Sequence, residues 1–211
     1  YVNGIVLRTF EHKNVLEMAR EASIPVINGL SDFSHPCQAL ADLYTIKEKF
    51  KAFKGKTLAY VGDGNNVCNS LLFAGAKVGL NMKVATPKGY GPDPQVMKEA
   101  KEAASANKSS IMLLDNARDA AIDADVLYTD VWVSMGQEAE AEERKKAFKD
   151  FQINQELLGL AHKGALVMHC LPAHRGEEIS GEVIDSKNSV VFDQAENRMH
   201  VQKAILKILL K

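Results

Sequence analysis

Strand-like apolar runs alternate with amphipathic, helix-like segments along the whole chain, and this pattern restricts the fold more than any other feature. The runs "VNGIVLRT", "PVING", "TLAYVG", "MKVATP", "SIMLLD", "DVLYTDVW", "ALVMHC" and "SVVFD" read as strands. Between them, helical spacing of apolar residues predicts helices over 12–23, Pro36–Phe50, Asn66–Gly79 and Pro94–Ala106. Further helices are predicted near Ala117, at 140–149 and at 154–161. Pro36 suits the first turn of its helix, where a missing N–H costs nothing. A last helix places Val201, Ala204, Ile205, Ile208 and Leu209 on one face, with Asp193 and Glu196 as a capping pair before it. Regular βα alternation predicts an α/β fold: a doubly wound parallel sheet with helices on both faces.

In such sheets polar sites gather beyond the carboxyl ends of the strands. Three unusual clusters fall there: "GDGNN" after "LAYV", "DVWVSMG" after "ADVLYT", and "HCLPAHRG" after "ALVM". Gly62 and Gly64 match the start of a dinucleotide-binding fingerprint, but its third glycine position is Val67 and no acidic ribose-binding residue ends the next strand. A tight turn with Asn65 as helix cap is the better reading, and the neutral amide of Asn66 could bind a carboxylate. In "SHPCQ", His35 and Gln38 share one face of a first helical turn and could bind a carbonyl and an amide. Asp130 and Ser134 could hold an ammonium group.

"MHCLPAHRGEEI" leaves three readings open: a metal site, a nucleophilic cysteine, or a loop that grips a polar substrate. His169 and Cys170 are adjacent, so on a strand they would point to opposite faces, which argues against their ligating one zinc ion. A nucleophilic cysteine needs an oriented base, which the sequence does not identify. The proline after Leu171 favours a rigid loop. The charge run "EAEAEERKK" reads as a solvated helix face.

The bulk properties narrow the class. At 211 residues and 46% hydrophobic content the chain can bury a substantial core. A formal net charge of -1 gives no electrostatic case for nucleic acid or a membrane surface. No apolar run approaches the roughly 18 residues that span a bilayer. Three widely spaced cysteines, Cys37, Cys68 and Cys170, suit a reducing, cytoplasmic setting without a disulfide framework.

Taken together, "SHPCQALADL", "GDGNN", "DVWVSMG", "HCLPAHRGEE" and "AENR" resemble the ornithine carbamoyltransferases. The resemblance runs from Arg8 to Arg198, and the Ser-Met-Gly and His-Cys-Leu-Pro elements favour ornithine over other amine acceptors. It implies carbamoyl transfer from carbamoyl phosphate to the δ-amine of L-ornithine, with no cofactor and no metal, in a homotrimer serving arginine biosynthesis. It also implies roles. Arg8, His35 and Gln38 would bind carbamoyl phosphate, with Arg198 returning to it from the last helix. Asn66 would meet the ornithine carboxylate. Asp130, Ser134 and Met135 would hold the α-amino end, and Cys170 and the Leu171 carbonyl would face the reacting amine. Catalysis would rest on Cys170, His35 and Arg8.

One departure matters. The family's Ser-x-Arg-Thr phosphate cradle is absent, and the chain opens at Tyr1 directly in a strand-like run. The expected organisation is therefore a remnant of the carbamoyl phosphate domain at 1–35 and a linking helix at 36–50. An ornithine-binding α/β domain at 51–193 follows, and a helix at 194–211 returns toward the first domain. The isolated chain is expected to be inactive or nearly so. The alternatives are a carbamoyltransferase for another amine or amino acid, or a non-catalytic truncated partner.

Overall fold

The computed structural model describes residues 1–134 and 136–210. Five parallel strands form the main sheet: β3 (Thr57–Val61), β4 (Asn81–Ala85), β5 (Ile111–Leu114), β6 (Val126–Thr129) and β7 (Leu166–His169), in the order β5-β4-β3-β6-β7. A separate parallel pair, β1 (Ile5–Arg8) and β2 (Val26–Leu30), precedes it. The helices are α1 (His12–Glu21), α2 (Pro36–Phe50), α3 (Asn66–Val78), α4 (Pro94–Ala106), α5 (Ala117–Ala121), α6 (Ala141–Phe148), α7 (Gln155–Leu160), α8 (Gly181–Ile184) and α9 (Val191–Leu209).

The central strands are apolar throughout because both faces are covered. Alternate residues of β3 enter different cores. Leu58 and Tyr60 pack with residues of α2, α3 and α4, whereas Ala59 and Val61 pack with residues of α5, α6, α7 and α8. On β6, Val126 and Tyr128 join the first core and Leu127 the second. Helix starts follow local chemistry. Asp93 accepts from the N–H groups of Gln95 and Val96 ahead of Pro94, and Asn65 accepts from Val67 and Cys68. Gly64 serves a close approach: a Cβ there would stand 2.2 Å from the Pro92 nitrogen.

Several expectations change. "SVVFD" forms no strand: Val190 donates to the Val167 carbonyl beside β7, and helix α9 begins at Val191. A short apolar run does not distinguish strand from helix, and here the helical period buries Gln194 and Asn197. Asp193 and Glu196 therefore lie inside α9 rather than capping it, Asp193 pairing with Lys49 at 2.8 Å. The expected boundary at residue 193 consequently falls within a helix. The charge run is not all solvated either, since Arg144 is buried. On α9 much of the anticipated apolar face, including Ile208 and Leu209, is exposed.

Candidate functional site

The strand order reverses direction between β3 and β6, and a crevice forms at such a switch point. The three polar clusters end β3, β6 and β7, which are neighbours, so the sheet itself brings them together. Asp130 lies at their centre. Its Oδ2 accepts from Asn65 Nδ2 at 2.7 Å, across the switch point. Its Oδ1 accepts from the Val131 N–H at 2.8 Å and from the Cys170 thiol at 2.9 Å. All three partners donate, the pattern an ionised carboxylate accepts. Burial, reinforced by Asp130, pushes the Cys170 thiol well above its ordinary value, so it remains protonated. A neutral thiol that orients a carboxylate is what the geometry provides.

His169 and Cys170 do not stay apart as strand alternation predicts. Donor atoms of Asp130, His169 and Cys170 lie within 4.8 Å of one another. The strand ends at His169, and Leu171 turns to φ 58° ahead of Pro172. His169 nevertheless has no lone pair to offer a metal. Nδ1 accepts from the Leu171 N–H at 2.9 Å, which leaves the proton on Nε2 to be donated to Glu178 Oε1 at 3.0 Å.

A second network is centred on Asp42, fully buried on α2. Gln38 and Gln194 each donate to Oδ1, at 2.8 and 2.7 Å, and the Tyr128 hydroxyl donates to Oδ2 at 2.9 Å. Both glutamines are thereby oriented. Gln38 Oε1 accepts from Arg198 at 2.5 Å, and Gln194 Oε1 accepts from the His169 N–H at 3.0 Å. One carboxylate thus ties the start of α2, helix α9 and the end of β7 together. Burial pushes Asp42 up to about 7, against the three donors.

His35 sits at the N-cap of α2, with its backbone N–H donating to Ser70 Oγ at 2.7 Å. Burial, with the charges of Arg198 and Arg8, lowers the imidazole to about 4, so it is neutral at pH 7. Its Nδ1 is buried without a hydrogen-bond partner among the described residues. Arg8 ends β1 and acts on this imidazole electrostatically. Asn66 reaches across to the Ser31 carbonyl at 2.6 Å. His35, Gln38, Arg8 and Arg198 thus form one basic group beside α2, while Asp130, Cys170 and Asn65 form an acidic one at the strand ends.

The segment after β6 meets Phe10, just beyond β1. The Ser134 N–H donates to Gln137 Oε1 at 3.0 Å, and a Cβ on Gly136, φ 86°, would stand 2.9 Å from the Phe10 ring. Met135 lies outside the described residues. The segment is anchored by Arg144, which pairs with Asp63 of the "GDGNN" turn, donates to the Trp132 carbonyl at 2.6 Å, and stacks over Tyr90 and Phe148. Sequence reasoning missed Asp42, Asp63, Arg144, Gln194 and Glu178. Asp42 was findable, since it stands four residues after Gln38 on the same helix face. Arg144 was not, since nothing in an alternating charge run marks the buried member.

An open parallel sheet with an acidic pocket at its switch point, beside a basic group from β1, α2 and α9, defines an α/β ligand-binding domain. The family profile described as "Aspartate/ornithine carbamoyltransferase, Asp/Orn binding domain" matches residues 54–209, and that of the family's carbamoyl-P binding domain matches residues 1–48. The chain belongs to the aspartate/ornithine carbamoyltransferase family. It is 60% identical over 210 residues to the ornithine carbamoyltransferase of Thermococcus kodakarensis and 59% to that of Pyrococcus horikoshii, covering all of this chain and 67% and 66% of those proteins. It superposes on the solved ornithine carbamoyltransferase of Pyrococcus furiosus with a TM-score of 0.97 at 57% identity, covering all of this chain and 67% of that one. For the Giardia lamblia ornithine transcarbamoylase the TM-score is 0.93 at 36% identity, covering 99% of this chain and 70% of that one. The chain spans about two thirds of the length of the relatives it matches.

Proposed function

We propose that the chain carries the amino-acid half of an ornithine carbamoyltransferase, whose reaction is carbamoyl transfer from carbamoyl phosphate to the δ-amine of L-ornithine, giving citrulline and phosphate. The observation that supports this most directly is the pairing of an oriented carboxylate, Asp130, with a basic group built on His35, Arg8 and Arg198. A diamino acid and an acyl phosphate need those opposite charges.

Residues 1–35 are read as carbamoyl phosphate domain, 36–50 as the link, 51–193 as the ornithine domain and 194–211 as the returning helix. Asp130, Ser134 and Met135 hold the α-amino end, Asn66 the carboxylate, and Gln38 and the two arginines the carbamoyl phosphate. An alkyl ammonium has a pKa near 10.4, so deprotonation at pH 7 costs about 4 kcal/mol. A desolvating pocket lowers that cost. The amine nitrogen then bonds to the carbamoyl carbon and the carbon–oxygen bond to phosphate breaks. The departing phosphate takes the proton. A neutral His35 can donate one N–H to the carbonyl oxygen as negative charge develops there. Cys170, held as a thiol, keeps Asp130 in place and faces the amine together with the Leu171 carbonyl. Exclusion of water would protect the labile donor. We further propose a cytoplasmic homotrimer serving arginine biosynthesis; the word anabolic in the name of the Pyrococcus furiosus relative supports the biosynthetic direction.

The test is citrulline formation by this chain fused to the N-terminal third of the Thermococcus kodakarensis relative. Activity with ornithine and none with putrescine, acetylornithine or aspartate is the expected result; preference for one of those acceptors overturns the assignment. The unfused chain should form little or no citrulline.

A further inference from the structure

The loop that follows Pro172 carries a cluster the carbamoyl transfer does not use. Ligand atoms of His174, Glu177 and Glu178 lie within 4.8 Å of one another. Glu178 is fully buried, and its two oxygens are treated very differently. Oε1 accepts from His169 Nε2 at 3.0 Å and from the His174 backbone N–H at 2.6 Å. Oε2 is buried without a hydrogen-bond partner among the described residues, and faces His174 Nδ1 at 3.7 Å. A buried carboxylate oxygen with an empty shell is costly unless something positive completes it. Lys145 does not, since it bonds the neighbouring Glu177 at Oε1, 2.8 Å away.

We propose that His174, Glu177 and Glu178 form a binding site for a divalent cation of the zinc type. One imidazole and two carboxylates are a zinc donor set, and the half-exposed side of His174 leaves a coordination position for water. A tetrahedral shell with bonds of about 2.0–2.2 Å sets neighbouring ligand atoms roughly 3.3–3.6 Å apart. The 3.7 Å between Nδ1 and Oε2 is therefore nearly at coordination spacing. The ligands are also pre-oriented. Hydrogen bonds at the other oxygen fix Glu178 in the way outer-shell donors fix metal-binding carboxylates. The turn itself is tied by Glu177 N–H to the His174 carbonyl at 2.9 Å and by Gln152 to the Glu177 carbonyl at 2.8 Å. The site is distinct from the Asp130–Cys170 pocket, although Glu178 reaches that pocket through His169.

The test is calorimetric titration of the full chain with Zn²⁺, repeated with Co²⁺ while recording its absorption spectrum. One saturable site is expected, with cobalt bands that lack a thiolate charge-transfer component. His174→Ala and Glu177→Gln should each weaken binding at least about tenfold, and Cys170→Ser should leave it within about twofold. His174 and Glu177 are on the surface side of the loop, so these variants fold. No saturable binding, or binding that survives His174→Ala, overturns the proposal. So does a thiolate band that disappears in Cys170→Ser, which would move the ion to the Asp130–His169–Cys170 group.

Discussion

The five-stranded sheet and the β1–β2 pair obey the same βα rules but end in different conditions. Every residue of β6 is buried, and residues of β3 feed two cores. On the smaller sheet Val6 is 63% exposed, and Val2, Phe10 and Leu16 stand in solvent near it. The polar groups follow suit. Asp130 is oriented by three donors from its own domain and keeps acceptor capacity to spare, whereas His35 keeps a buried Nδ1 without a hydrogen-bond partner among the described residues, beside two arginines. The difference teaches that one half of the candidate site is finished by its own domain. The other half is supplied by elements that reach it from outside: α2, α9 and the end of β1.

The sharpest way to break this comparison is through the anchors of the larger sheet. Arg144→Met leaves Asp63 buried without its cation and should cost about 3–5 kcal/mol in urea unfolding. Leu71→Ala, in the fully buried first core, should cost about 2–5 kcal/mol. Val6→Ala on the smaller sheet should change stability by less than about 0.5 kcal/mol. A loss at Val6 comparable to that at Leu71 would mean that the smaller sheet is as well packed as the larger.

Asn65→Ala tests the completeness of the acidic pocket. It removes a helix cap worth about 1 kcal/mol and one of the donors to Asp130. In the fused enzyme, KM for ornithine should rise more than KM for carbamoyl phosphate; equal changes would separate Asp130 from the amino acid. Cys170→Ser should show the same selectivity in smaller measure, because a hydroxyl still donates to Asp130.

A further test concerns pH. Burial raises Asp42 from 3.8 to about 7, so the folded state holds this proton more tightly than the unfolded chain. Its contribution to stability is fully present below pH 4 and is lost as pH rises through 7. His35 runs the other way, its contribution being present above 6.5 and lost as pH falls toward 4. Asp42→Asn should therefore make stability rise more steeply with pH between 4 and 7 by removing the opposing term, as read from Tm across that range. An unchanged slope would show that folding does not raise the Asp42 carboxyl above its ordinary value.

Much of the fold was legible because alternation and helix signals are local. Pro36–Phe50 and Pro94–Ala106 begin with a proline in the first turn and carry apolar stripes of helical period, and both form as read. "SVVFD" failed because a run that short fits either period. The clusters that carry Asn66, Asp130, Ser134, Cys170 and Leu171 are visible as unusual strand ends in the sequence, and the sheet sets those ends side by side. The wiring of the site was not legible. Apart from the local Gln38–Asp42 pair, the Asp42 network joins residues 128, 194 and 198, and no local pattern encodes hydrogen bonds across those distances.

The sequence by itself determined the α/β class, the alternation of strands and helices, and the chemical character of each strand end, because periodicity and residue type act over a few positions. Only the tertiary structure decided that β3, β6 and β7 lie side by side and that Arg144 is the buried member of its charge run. It alone decided that Asp130 takes Asn65 and Cys170 as partners, and that Glu178 keeps one oxygen unfilled. Those outcomes depend on strand order and on desolvation, which exist only after distant segments have packed.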